Sequence, residues 1–447
     1  MYIATITLYF LTFPALSSAQ TPSADLTRCT DTDADVSISA CTALIAGGGQ
    51  DTVPNDTRAK AFTYRGFSYL KKLQYDHAIE DFTKAIGLDA ENVWALANRG
   101  NAYFNKHEYD AAMQDYDAAL LLNPVGYATL FYGRGAIYNA NGEPEHAIEQ
   151  FDQAIRLQPE FPEAFNNRGV AYFNNGQFSH AIDDYGHALH FRPDYTSALQ
   201  NRGNAYAAKG QYDHAIEEYN KAIELKPAAA AYRNRGNAYR ATGNYPKALS
   251  DLSAAIRLLA SSGGLDDRGV TYLEMGENVR AFEDFNEAIR IEPYNPDALL
   301  SKGRAEFYPG RWTDAAADFQ KSRVLDPSNP YAFIWLHLAN ARAGKNDAGS
   351  LEELARQVHA HAWPAPIVDM LLGKLRPDYA IAFASDPDPD KTLSQRCEAE
   401  FYVGEYLLTQ PDASAALDHL KEARRICSGI FPEALAAKME LKRIESK

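Results

Sequence analysis

A glycine recurs eight times along the chain, at Gly66, Gly100, Gly135, Gly169, Gly203, Gly236, Gly269 and Gly303, with spacings of 34, 35, 34, 34, 33, 33 and 34 residues. Three residues after each of the first seven stands a tyrosine, from Tyr69 to Tyr272; Glu306 breaks the run. Twelve residues after every glycine stands an alanine, from Ala78 to Ala315, and sixteen after stands a Phe, Tyr or Leu. The string Asn-Arg-Gly-Asn-Ala-Tyr returns whole at 98–103, 201–206 and 234–239. A period of this length means one supersecondary unit stacked on copies of itself. The chain has 447 residues, more than one hydrophobic core organises, and stacking removes the need for one.

With Ala59 as position 1 of the first repeat, Gly and two Ala fall at positions 8, 20 and 27, and aromatics at 11 and 24. Small residues let two antiparallel helices approach, and aromatic rings fill the space beside them. Glycine at position 15 (Gly142, Gly176, Gly210, Gly243, Gly276, Gly310) suits the left-handed turn that ends a first helix. Proline near position 32 stops the second helix. Position 7 carries Arg65, Arg99, Arg134, Arg168, Arg202, Arg235, Arg268 and Lys302, while position 23 carries an acid in every repeat except for Gln150. This spacing predicts an Arg–carboxylate pair joining the two helices of each repeat, because a guanidinium meets a carboxylate with two parallel bonds.

The pattern resembles the tetratricopeptide repeat family over residues 59–329, in eight consecutive repeats. The resemblance implies an all-α helix-turn-helix solenoid wound as a right-handed superhelix, whose first helices line a concave groove for peptide ligands. Asn98, Asn101, Asn167, Asn201, Asn204, Asn234 and Asn237 fall on the first helices at positions 6 and 9, with Phe104, Tyr132 and Phe173 adding apolar contact. An amide both donates and accepts, which suits the backbone of an extended peptide. Amides at these positions serve equally well to bridge neighbouring helices, and both readings stand at this point.

Around the array, residues 20–58 read as an amino-terminal cap and linker, with Asp35 to Ile45 resembling the second helix of a repeat and Cys41 in the aromatic position. Ala260 to Gly264 replaces a closing proline and reads as a loose connection. Residues 330–396 read as a degenerate helical segment, and 397–447 as a final repeat-like unit with a capping helix. The extension resembles, over about 296–447, the NlpI-type periplasmic lipoproteins of Gram-negative bacteria. The stretches that carry this are Tyr331 to Ala339, Trp363 to Gly373 and Phe401 to Leu408. It implies an adaptor holding envelope enzymes together, among them peptidoglycan hydrolases and a processing protease.

Residues 2–16 carry no charge and lead into Ser17-Ser18-Ala19, the shape of a signal peptide over 1–19 with cleavage after Ala19. No Cys follows the cleavage point to carry lipid, so a periplasmic or secreted protein without a lipid anchor is expected. Four cysteines in an exported chain suggest two disulfides, Cys29 with Cys41 and Cys397 with Cys427, against four buried thiols. Acids outnumber bases 59 to 44, a net charge of −15 that disfavours nucleic acid and anionic membrane surfaces.

The histidines at position 19 (His77, His146, His180, His214) belong to different repeats, too far apart to share one ion. Asp31, Asp33 and Asp35 begin like a calcium loop but lack its later glycine and glutamate, so helix capping is expected of them. Glycine-rich phosphate loops, nucleophile elbows and zinc-protease motifs do not occur in the sequence. The expected function is therefore a non-catalytic scaffold, needing no cofactor or metal, that binds protein or peptide partners of the cell envelope, with a homodimer allowed. The rival expectation is an envelope hydrolase or sugar-binding enzyme with its site in 330–447.

Overall fold

The computed structural model describes residues 24–47, 53–123, 127–345, 347–357, 362–386, 389–410, 413–427 and 432–445. The expected signal peptide and parts of the expected cap and linker over 20–58 lie outside them. The described residues are helices joined by short turns, with no strand among them. They form two compact bodies that divide between Ala205 and Tyr206.

The amino-terminal body holds a cap, four repeats and the start of a fifth. Each repeat pairs a first helix, such as Val93–Asn105, with a second, such as Tyr109–Leu122. The pairing is close because position 8 lacks a side chain. A Cβ on Gly100 would stand 2.7 Å from the Tyr116 ring, and one on Gly169 would stand 2.7 Å from Tyr185. Alanines at positions 20 and 27, such as Ala112, Ala119, Ala181 and Ala188, are fully buried at the same contact. First helices end where position 15 turns left-handed: φ is +78° at Gly142 and +73° at Gly176. The first two repeats make the same turn with Leu73 (φ 59°) and His107 (φ 62°).

The expected Arg–carboxylate pairs are present, in both bodies. Arg65, Arg99, Arg168, Arg235 and Arg268 each donate twice, from Nε and Nη2, to Asp81, Asp115, Asp184, Asp251 and Asp284 at 2.6–2.8 Å. Lys302 pairs with Asp318. Nη1 has a further task that spacing within one repeat does not reveal. It reaches position 25 of the preceding repeat: Arg99 to Thr83 (3.0 Å), Arg168 to Asp152 (2.5 Å), Arg235 to Asn220 (2.6 Å) and Arg268 to Ser253 (3.1 Å). One guanidinium thus joins three helices. Arg65 does the same to Thr42 at 3.0 Å, which places helix Ala34–Gly47 as the second helix of a cap. A short helix, Ala24–Cys29, precedes it. Asp33 accepts from the backbone of Asp35 and Val36, so the aspartates cap that helix.

The cysteines divide. Cys397 and Cys427 stand side by side, with Cα atoms 5.0 Å apart. Cys29 and Cys41 are neighbouring buried thiols, not the bridge expected from the sequence. The Cys41 thiol donates to the carbonyl of Cys29 at 3.9 Å, and Ser37 Oγ donates to the same oxygen at 2.6 Å. A second correction concerns Ala260 to Gly264. Ser261 caps helix Ser262–Met275 by accepting from Gly264 N, so most of this run is a helical first turn and not a loose link.

In the carboxyl-terminal body, repeats 6–8 run into helix Pro330–Arg342, whose Trp335 is packed among Phe307, Phe319, Phe401 and Tyr402 with ring centroids 5.3–6.1 Å away. Three shorter helices follow, Ala348–Gln357, Ala365–Leu371 and Pro377–Ala382. The final pair is Pro389–Leu407 with Ala416–Ile426, where Gly404 meets Leu420 as the position-8 glycines meet their aromatics. The last helix is Pro432–Glu445.

Candidate functional site

The first helices carry the expected ligand residues, and the structure sorts them by what they touch. Asn98 is fully buried and donates to the carbonyl of Trp94 at 2.9 Å. Asn101 is 5% exposed and its oxygen accepts from the Tyr116 hydroxyl at 2.7 Å. Phe104 and Tyr132 are core residues. Asn167 donates to the Tyr132 hydroxyl at 2.8 Å, Asn166 donates to Asn167 at 3.0 Å, and Asn201 donates to Asn166 at 3.0 Å. These amides therefore bridge position 5 of one repeat to position 6 of the next. With no exposed surface, Asn98 cannot reach a ligand, and Asn101 and Asn167 spend their amides inside the stack. Phe173, Asn201 and Asn204 keep part of their surface open.

In the carboxyl-terminal body the same rung is ionic. Arg233 pairs with Asp267, which also accepts from Asn237 at 2.9 Å, and Ser301 donates to Asp266 at 3.2 Å. Arg240 donates to Glu274 at 2.6 Å two turns beyond Arg233 and Asp267. Asn234 and Asn237 are half-buried beside these charges. Burial, with the neighbouring charge of Asp267, pushes the Asp266 carboxyl up to about 7. One oxygen of Asp266 and the amide oxygen of Asn237 are buried without a hydrogen bond among the described residues.

The two bodies thus differ in charge along their first helices. Positions 5, 6, 9, 12 and 13 of repeats 2–4 are Ala97, Asn98, Asn101, Phe104, Asn105, Tyr132, Gly133, Ala136, Asn139, Ala140, Asn166, Asn167, Val170, Phe173 and Asn174, without one charge. In a chain of net charge −15 this is a selective omission. Repeats 6–8 place Arg233, Arg240, Asp266, Asp267, Glu274 and Arg304 at those positions.

Other candidate chemistry resolves into packing. The position-19 histidines lie on position-11 tyrosines, Tyr138 on His146, Tyr172 on His180 and Tyr206 on His214, with centroids 5.2 Å apart. Glu398 accepts from the Tyr331 hydroxyl (2.7 Å) and Trp363 Nε1 (2.9 Å), and burial with the nearby Glu433 charge pushes it up to about 7. Sequence reasoning did not single out Glu398, and no short-range pattern marks it. Among the described residues no helix is long and apolar enough to cross a membrane.

Sequence models described as TPR repeat match residues 135–176 and 203–239, and models described as tetratricopeptide repeat match 59–92, 93–124, 162–195, 227–292 and 267–330. The chain belongs to the tetratricopeptide repeat family. A solved tetratricopeptide repeat protein from Parabacteroides merdae is similar at 20% identity, over 55% of this chain and 98% of that one, with a TM-score of 0.50. YrrB, described as a TPR protein with an unusual peptide-binding site, is 29% identical over 40% of this chain and 93% of its own, TM-score 0.36. MamA is 27% identical over 36% of this chain and 94% of its own, TM-score 0.34. Proteins of this repeat fold are typically protein-interaction scaffolds.

Proposed function

We propose that the protein is an exported, non-catalytic scaffold that holds an extended, uncharged peptide segment of an envelope protein along the first helices of its amino-terminal body. The observation that carries this is that the residues left open at these first-helix positions of repeats 2–4, Asn105, Asn139, Ala140, Val170, Phe173 and Asn174, include no charge. A surface without ionic groups favours a partner through main-chain hydrogen bonds and apolar contact, since a charged side chain laid there would lose hydration without gaining a counter-ion. The uncharged leader over residues 2–16 supports export. The resemblance of residues 296–447 to envelope adaptors supports partners among peptidoglycan-remodelling enzymes.

Selection of ten-residue peptides from a displayed random library against the whole protein tests the reading. Selected segments should be poor in Asp, Glu, Lys and Arg. The double variant Phe173→Ala with Asn174→Ala should weaken their binding about tenfold, the scale of one lost hydrogen bond together with apolar contact. Charge-rich selections, or affinities unchanged in a variant of normal circular dichroism, would move the site off this face. Turnover of peptidoglycan fragments by the pure protein would favour the enzyme reading.

A further inference from the structure

The last helix, Pro432–Glu445, packs on the final helix pair and also touches residues of earlier first helices in its own body. Its contacts reach several first helices. Lys438 donates to the Glu274 carbonyl in repeat 7 at 3.3 Å, and Glu440 accepts from Arg342 at 3.2 Å. Glu433 accepts from the Tyr402 hydroxyl at 3.1 Å and lies near the Arg304 charge of repeat 8. The Arg443 guanidinium stands 5.8 Å from the Trp312 ring. Glu274 is at position 13 of repeat 7, Arg304 is at position 9 of repeat 8, and Arg342 ends the helix that follows the array. The buried residues of this helix are Glu433, Leu435, Ala436, Ala437, Glu440 and Leu441. Two carboxylates seven residues apart thus bracket small and aliphatic side chains, and each meets a fixed partner.

We propose that the first-helix face of the carboxyl-terminal body is a helix-binding groove, occupied at rest by residues 432–445, and that it takes in their place a partner helix with two carboxylates seven residues apart around an alanine and leucine stripe. The argument is independent of the amide face of the amino-terminal body. A capping helix that only closed a stack would need apolar contact. This one is hydrogen-bonded to Arg342 and Tyr402 and lies near the charge of Arg304, on three different helices. Such partners read a ligand's pattern and discriminate against helices that lack it. The resident helix lowers the apparent affinity of any competitor by the fraction of molecules in which the groove is open.

The test uses the full chain and a synthetic peptide of residues 432–445 carrying a fluorophore. Glu440→Ala should loosen the resident helix and leave the groove lining intact, so that this variant binds the peptide at least tenfold more tightly than the wild type. Hydrogen exchange within 432–445 should quicken when saturating peptide is added. A peptide with alanine in place of both glutamates should bind at least tenfold more weakly. Lys438→Ala, at an exposed site, is the second variant if Glu440→Ala folds poorly. Failure of peptide to bind either folded variant would overturn the proposal, as would exchange in 432–445 that stays as slow as in the core. Dimers of Glu440→Ala that added peptide dissociates would assign the groove to a second copy and overturn the choice of a foreign partner.

Discussion

Gln150 stands where its counterparts in the other repeats are acids, and the structure shows what that costs. Among the described residues Arg134 pairs with no carboxylate of its own repeat and reaches Asp117 of the preceding one, at 3.4 Å. Its Nε and the Gln150 oxygen are both buried without a hydrogen bond among the described residues. Gln150→Asp should rebuild the two-point pair of the other repeats and stabilise the amino-terminal body by about 1 kcal/mol, between an exposed ion pair and a buried charged hydrogen bond. Urea unfolding reads this directly, and a midpoint at or below wild type would show that the acid at position 23 is not a stabilising element. Leu73 offers a second residue-scale test. It is 66% exposed and holds a left-handed φ of 59°, so its side chain gains little while its backbone is strained. Leu73→Gly should add about 0.5–1 kcal/mol, the relief of left-handed strain less glycine's greater unfolded entropy. A lower midpoint would mean that Leu73 packs in a way its exposure hides. Both features are legible in the sequence, because a repeat supplies its own expectation and each exception stands out against it. The second arm of the arginine was not legible, because positions 7 and 25 belong to different copies.

Among the elements, the helix pairs were legible from spacing alone, whereas the role of the asparagines was not. An amide at position 6 satisfies a neighbour or a ligand equally well, and only the position of Tyr132 beside Asn167 decides between them. Nor could spacing reveal that helix Pro432–Glu445 meets Glu274, a contact between residues 164 apart in sequence. The final helix pair carries its own prediction. Cys397 lies within its first helix and Cys427 just past its second, at a separation of 30 residues, with Cα atoms 5.0 Å apart, within the span a disulfide bridges. Oxidised protein digested without reduction should yield one linked peptide containing both residues. Closing a loop of this length removes about 3–4 kcal/mol of unfolded-state entropy, so reduction should lower the denaturation midpoint of the carboxyl-terminal body. Separate, alkylated Cys397 and Cys427 peptides would show that the pair stays reduced.

At the scale of the molecule, the carboxyl-terminal body has gathered acids whose protons are held by burial. Burial and the charge of Asp267 bring Asp266 to about 7; burial and the charge of Glu433 bring Glu398 to about 7. Glu405 is raised as well, by burial and by the adjacent Glu440, despite its bond to Arg342 at 3.1 Å. In an unfolded chain these carboxyls titrate near 4. Between about pH 4 and 7 the folded body therefore holds protons that the unfolded chain releases. The stability from this difference is complete below about pH 4 and is lost as pH rises through 7. His419, raised by its bond to Glu400, acts in the same direction, while His337, lowered by burial, opposes it below about pH 6.5. In the amino-terminal body Asp184 is raised by burial, although its pairing with Arg168 offsets this. Three of the four tryptophans, Trp312, Trp335 and Trp363, lie in the carboxyl-terminal body, so intrinsic fluorescence follows that body's unfolding. Its urea midpoint should rise on moving from pH 8 to pH 5.5, by on the order of a few kcal/mol in unfolding free energy. Since Glu405 and Glu398 lie beside Arg342 and Glu433, hydrogen exchange in residues 432–445 should slow over the same interval. A midpoint that is flat or falls on acidification would mean that these carboxyls are charged in the folded protein, each with its compensating cation.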